Sequence, residues 1–318
     1  MTSPFRFAVI TSKVPDAASW RARARRAEAL GYSALLMPDH FQDQLAPLTA
    51  LATAAAVTER LAVGTLVFDN DYRHPVVLAK ERATLDLLTG GRVEVGMGAG
   101  WKRSDYDEAG IAYDAPGTRI DRMVEAIDVM RALWRSTEPV QYAGTHYRID
   151  GAIGTPEPHT SGGPTLCIGG GGRRMLTIAA RAADIVAVNA TMTSGQLDAS
   201  VAATASPQAF DEKLEWVRAY AAACGRTDHI ELQCHCAFVN VTATAEDRDS
   251  MLGAMAPAFA CDPADARDIP LTLIGTIDDL VGTLVRRRER WGFTYTVVPD
   301  DAMEAFAPVV AQLAGRVT

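Results

Sequence analysis

Lysine is scarce in this chain. Only Lys13, Lys80, Lys102 and Lys213 occur, so arginine supplies 27 of the 31 basic residues. Such a bias follows GC-rich coding more than any mechanism. Positive charge is also the minority sign: 39 acidic residues oppose those 31, for a formal net charge of −8. That balance excludes nucleic acid and anionic membrane surfaces as general partners, and any anionic ligand needs a local basic cluster. No cysteine framework is present. The five cysteines are odd in number and have neither CxxC nor zinc-knuckle spacing. No apolar run reaches ~18 residues, the length of a membrane span. The start, MTSPFRFAVITSKVPD, carries no long apolar segment behind a basic one. These absences together lead to the expectation of a cytoplasmic protein with reduced thiols and no metal site.

What is present is a core-forming chain: 318 residues, 48% of them hydrophobic, enough for one large domain or two small ones. Short apolar strands alternate with amphipathic helices almost throughout. Strands are expected at 5–11, 32–39, 60–68, 92–100, 164–170, 184–190, 229–243 and 293–300. Helices are expected at 16–31, 47–59, 75–91, 115–134, 173–183, 207–225 and 302–315, with more helix within 246–291. Asp16 suits an N-cap, Gly31 a helix end and Pro75 a first turn. Three stretches break the rhythm: 137–163, read as a hairpin with an irregular excursion, the Ala/Ser/Thr-rich 191–206, read as a mobile loop, and 258–272.

Repeated strand–helix units demand parallel pairing with right-handed crossovers. Eight of them fit an α/β fold of the (β/α)8 TIM barrel type, one domain over 1–318, with insertions at the C-terminal face of the strands. A doubly wound open sheet is the competitor. It favours a dinucleotide fingerprint, and neither glycine-rich run completes GxGxxG: Trp101 and Arg174 stand where the last glycine belongs.

In a barrel the segments just past the strands share one mouth. Asp39-His40 follows the second strand, Asp69 to His74 the third, Gly98 to Lys102 the fourth, with Ser104 and Asp105 beyond. His40 can exchange a proton near neutral pH, although a loop Asp-His pair can equally cap a helix. Tyr72 and Arg73 are expected to bond neighbouring loops, and His74 to be structural. The run LCIGGGGRRML places Gly169 to Gly172 between a strand and a helix. Bare backbone at a helix N-terminus binds phosphate, and Arg173 and Arg174 add charge; the glycines can also serve tight strand–helix packing. In Cys234-His235-Cys236, strand alternation turns His235 away from both thiols, which points to packing rather than to metal binding.

ALLMPDHF, LAVGTLVFDNDYRHPVVLAKERATLDLLTGGRVEVGMGAGW and LCIGGGGRRMLTIAARAADIV, in that order, resemble the luciferase-like monooxygenase superfamily, and most of all its branch using the deazaflavin coenzyme F420. The resemblance implies the same barrel. It implies that Asp39 and His40 lie beside the cofactor's reactive ring, with His40 handling the proton. It implies a non-proline cis peptide at Leu66-Val67, within the segment Thr65-Leu66-Val67 that supports one face of the ring. Gly169, Gly170, Gly171, Gly172 and Arg173 match the segment around the phosphate-bearing tail, and Ser104 a polar cofactor contact. The chain departs from the deazaflavin-dependent sugar-phosphate dehydrogenases. It has Gln44 where they carry Trp, Trp101 where they carry an acidic Glu, and no clear counterpart of their phosphate-binding lysines.

The resemblance therefore implies an oxidoreductase that moves a hydride between coenzyme F420 and a small organic substrate, as a homodimer; apolar helices such as 47–59 suit such an interface or simple packing on the barrel. One alternative is an FMN-dependent monooxygenase of the same family. Another, of a different class, is a non-catalytic barrel that binds a ligand or partner in its mouth.

Overall fold

The eight expected strands form one closed, all-parallel ring in a computed structural model that describes residues 3–192, 195, 198–259 and 261–317. The barrel strands, in chain order, are β1 (Arg6–Ile10), β2 (Ala34–Met37), β3 (Ala62–Thr65, resuming at Phe68–Asp69) and β4 (Val93–Gly98). They continue as β5 (Thr165–Gly170), β6 (Ile185–Val188), β7 (Glu231–His235) and β8 (Phe293–Pro299). Each pairs with its chain neighbours, and β1 pairs with β8 to close the ring, Arg6 opposite Tyr295. Closure without an exposed sheet edge selects the barrel over the open sheet.

Local sequence sets these elements. All four residues of both β2 and β6 are buried, as parallel strands covered on both faces must be. Asp16 accepts the Ser19 N–H at 2.7 Å and starts the first helix, Ala17–Ala29. Gly31 follows it at φ +85°, a conformation that favours glycine. Pro75 opens helix Pro75–Thr89, and the His74 ring accepts the Val76 N–H at 3.3 Å, so His74 is structural as expected.

The core has two layers. Alternate strand residues, Ala8, Leu36, Cys167, Ala187 and Val297 among them, form a small cluster inside the ring. Their neighbours, such as Phe7, Leu35 and Val186, pack outward against the helices. Polar groups floor the ring at the strands' N-terminal ends. Glu94 accepts from Arg6 Nη2 at 2.5 Å and from the Tyr295 hydroxyl at 2.9 Å, while Arg6 Nε lies 3.1 Å from Glu231. Burial pushes the Glu231 carboxyl up to about 7. The opposite, C-terminal end stays open.

Two expectations need correction. The expected strand 60–68 is interrupted, because the backbone leaves the ladder at Leu66-Val67, where the peptide is cis. The expected strand 229–243 is two strands. Its second half, Phe238–Val241, leaves the ring and pairs in parallel with Thr272–Gly275, a strand hidden in the irregular stretch after 260. Its alternating exposure marks it as lying outside the barrel wall. An unforeseen helix, Arg103–Ala109, also follows β4.

The stretch 137–163 does hold a hairpin, Val140–Ala143 against Arg148–Ala152. In 191–206 a short helix spans Ala199–Ala203; residues 193, 194, 196 and 197, and 260 in the next insertion, lie outside the described residues.

Candidate active site

A cavity of about 870 Å³ opens at the C-terminal ends of the strands. Asp39 and His40 from the end of β2, Leu66 to Asp69 from β3, Gly98 to Lys102 after β4 and Gly169 to Gly172 from β5 all line it. Segments far apart in sequence meet there because parallel strands of one ring end at one face.

His40 and Asp105 form its central pair. His40 Nδ1 lies 2.5 Å from Asp105 Oδ2, and Asp105 is fully buried. An ionised carboxylate can only accept, which makes Nδ1 the donor in this contact and leaves Nε2 without a hydrogen-bond partner among the described residues. Trp101 stands edge-on to the imidazole, ring centres 5.9 Å apart, and limits its tilt. Lys102 Nζ lies 3.4 Å from the other Asp105 oxygen.

Asp39 has a different partner. Arg73 reaches it with both terminal nitrogens, at 2.5 and 3.0 Å. The Asp69 N–H donates to Asp39 at 3.2 Å, so this carboxylate ties the resumed part of β3 to the end of β2. Buried and twice bonded by one guanidinium, Asp39 acts as an anchor for the His40 backbone.

Asp69 is a strongly perturbed acid of the cavity wall. Burial pushes its carboxyl up to about 7, and Asp71 and Asp39 add repulsion; the hydrogen bonds from Asp71 N–H and Tyr106 O–H oppose the rise. The Tyr106 hydroxyl donates to Asp69 at 2.8 Å. The ring of Tyr72 packs on Tyr106 with centres 5.5 Å apart, and on exposed Phe41 at 4.5 Å.

The glycine run serves two ends. A Cβ on Gly170 would sit 2.7 Å from that of Met175, and one on Gly171 would collide with the Ala190 carbonyl oxygen. Those two glycines are required by packing. At Gly172 the nearest atom would be 3.8 Å away, so this residue has room to spare. Gly172 caps helix Arg173–Ala182 with no side-chain hydrogen bond, and no acidic residue occupies the first turn. The helix's leading amides are therefore offered at the cavity rim, which fits a phosphate.

The structure brings Asp39, His40, Leu66, Val67 and Gly169 to Gly172 to one cavity. Three other expected site residues lie apart from its lining. The Thr65 hydroxyl bonds Gly96, donating to its carbonyl at 3.0 Å and accepting from its amide at 3.2 Å. Ser104 sits on helix Arg103–Ala109. The Arg173 side chain turns outward, over the Trp216 ring at 5.9 Å, into a surface groove shared with Arg174 and Arg181. Sequence reasoning did not pair Asp105 with His40, 65 residues away; its place just beyond β4 was the available signal. It also took His235 for a packing residue, but the imidazole faces the cavity.

Residues 1–309 match the luciferase-like monooxygenase family, and the chain belongs to it. An uncharacterized protein of Mycobacterium tuberculosis is 32% identical over 174 residues, 55% of this chain and 60% of its own length. An F420-dependent glucose-6-phosphate dehydrogenase of Microbacterium testaceum is 32% identical over 166 residues, 50% of this chain and 48% of that one. The chain thus spans about half to three fifths of the length of the curated relatives it matches. Among solved structures, an F420-dependent secondary alcohol dehydrogenase in complex with an F420-acetone adduct superposes with TM-score 0.78 at 17% identity, over 99% of this chain and 100% of that one. A long-chain alkane monooxygenase does so with TM-score 0.77 at 17% identity, over 100% and 94%. Both show the shared barrel.

Proposed function

We propose that this protein is an oxidoreductase that transfers a hydride between coenzyme F420 and a small organic substrate in the barrel mouth. The observation that carries this reading is the contact between His40 and Asp105 at the cavity wall. A hydride leaving or reaching a carbon must be balanced by a proton, and a histidine held by a buried carboxylate with one free nitrogen is suited to supply or accept it. Bound deazaflavin supplies the hydride-transfer chemistry. The chain's own residues do the rest. Leu66 and Val67 line the same cavity as His40 and would support the ring, the amides after Gly172 would receive the tail phosphate, and the mostly apolar wall excludes water from the reacting atoms.

The relatives support this reading: glucose-6-phosphate dehydrogenases of several species that are F420-dependent match this chain's sequence, and F420-dependent enzymes share its fold. Titration of the purified protein with F420 and, separately, with FMN tests it. The expected result is quenching of F420 fluorescence at low micromolar concentration with much weaker FMN binding. The reverse preference would replace the proposal with a flavin-dependent monooxygenase, and binding of neither would leave a non-catalytic barrel. With F420 bound, His40→Ala is expected to slow single-turnover hydride transfer about 100-fold and to spare cofactor affinity.

A further inference from the structure

The residues assigned above to cofactor and proton transfer occupy one side of the mouth. They stand at the ends of β2, β3, β4 and β5. The ends of β6, β7, β8 and β1 bound the remainder, and His235, the last residue of β7, lies there in the lining. Strand alternation put it there. Cys234 and Cys236 turn the other way, each Sγ 3.4 Å from the Pro270 carbonyl oxygen and both buried in the outer core. The intervening imidazole must therefore face into the barrel.

The other ionisable groups in that lining are already engaged. Asp39 is held by Arg73, His40 and Lys102 by Asp105, Asp69 by Tyr106, and Asp300 by Thr11 at 2.6 Å and by Arg23. Arg119 donates to the Ala99 carbonyl at 3.1 Å and to that of Gly100 at 3.3 Å. Asp198 caps a helix. Among the described ionisable side chains of the cavity wall, His235 alone has no hydrogen bond, ion pair or ring contact. His235 is only partly buried, and the cavity it lines is where it is exposed. The two basic side chains in the lining, Lys102 and Arg119, are both engaged, and neither is left for a second anionic group. Around them the wall is largely apolar, with Ile10, Ile120, Met175, Val201, Phe238 and Phe259.

We propose that His235 recognises the substrate, donating a hydrogen bond to the oxygen of a neutral, largely apolar carbonyl compound or its alcohol. This rests on the hydride-transfer reading, since a carbonyl and its alcohol are the two ends of one such step. Burial holds the His235 imidazole down, at about 4, so at neutral pH it is an uncharged donor and acceptor. A neutral imidazole can give an anion a hydrogen bond but no compensating charge, so burying a phosphate or carboxylate beside it is costly, and a site built around one hydrogen bond in an apolar wall selects for a single neutral oxygen.

The test uses the full chain without cofactor, so it stands or falls independently of F420 binding. Protein labelled with ¹⁵N-histidine is titrated with cyclohexanone, cyclohexanecarboxylate and methylcyclohexane, and the ring nitrogen signals of His235 are followed. Cyclohexanone should shift those signals and bind at least tenfold more weakly to His235→Phe, with partial recovery in His235→Gln, and the carboxylate should bind weakest to the unmodified chain. Equal binding of cyclohexanone to all folded variants would overturn the proposal. So would signals that do not respond to any of the three probes, or preferential binding of the carboxylate. A failure of F420 to bind would leave these results readable, and would count against the cofactor assignment alone.

Discussion

His40 and Asp105 meet at 2.5 Å although 65 residues separate them, and the carboxylate end of the contact is fully buried. With Asp105 ionised, Nδ1 must be the donor in this contact, and under the proposed reaction Nε2 is the nitrogen that exchanges the proton. Asp105→Asn keeps the shape but can present an amide N–H to Nδ1, which moves the ring proton to the wrong nitrogen. Hydride transfer is expected to slow about 100-fold or more, with F420 affinity changed less than threefold. Single-turnover absorbance across pH 5 to 9 checks this. A rate and pH profile matching the unmodified chain would remove Asp105 from the proton pathway.

Arg73 and Asp39 form the second contact of this face, with two hydrogen bonds on a nearly buried carboxylate. Removing the guanidinium leaves the charge stranded. Arg73→Met is expected to lower unfolding stability by about 3 kcal/mol. The double variant Arg73→Met with Asp39→Asn should recover part of that loss. Urea unfolding of the four members of the cycle gives the coupling directly.

Asp69 gives stability a pH dependence of definite sign. Its carboxyl rises from 3.8 to about 7 on folding, chiefly through burial. Between those values the folded chain keeps a proton that the unfolded chain has lost, so stability falls as pH rises through that window and levels off above it. Glu231, also raised to about 7, adds to the same slope. Asp69→Asn removes one contribution and should raise stability at pH 8, on the order of 1–3 kcal/mol, with little change at pH 4. Urea midpoints at the two pH values decide it; parallel shifts at both would show that Asp69 does not titrate as described.

Gly171 and Gly172 are neighbours with opposite tolerance. A methyl at Gly171 meets the Ala190 carbonyl oxygen, whereas at Gly172 it meets nothing closer than 3.8 Å. Gly171→Ala should therefore lower the melting temperature by several degrees and weaken F420 binding, because the loop backbone must move. Gly172→Ala should leave the melting temperature within a degree or two. Thermal unfolding followed by fluorescence titration separates the two effects.

The sequence by itself determined the strand–helix rhythm, and with it a parallel α/β fold for which the barrel was the favoured form. Apolar runs of four to seven residues, such as ALLM and FTYTVVP, alternate with helices opened by Asp16 or Pro75, and that order demands parallel strands, while the pairing of the first strand with the last closed them into a ring rather than an open sheet. Because parallel strands end at one face, the sequence also determined which loops share the mouth. Asp39, His40 and the glycine run were legible for that reason, whereas the Leu66-Val67 step was legible only through the family resemblance.

Only the tertiary structure decided which of those residues partner which. Whether Asp39 or Asp105 holds His40 depends on side-chain directions across a closed ring, and no local spacing encodes them. The same holds for Gly171, whose need for a bare Cα comes from Ala190 on the neighbouring strand's loop. His235 shows the limit most clearly. Alternation put it opposite its cysteines, but alternation says only that the two faces differ. Which face is core and which is cavity follows from what Pro270 and the surrounding chain bring against the strand, and those contacts exist only once the barrel has closed.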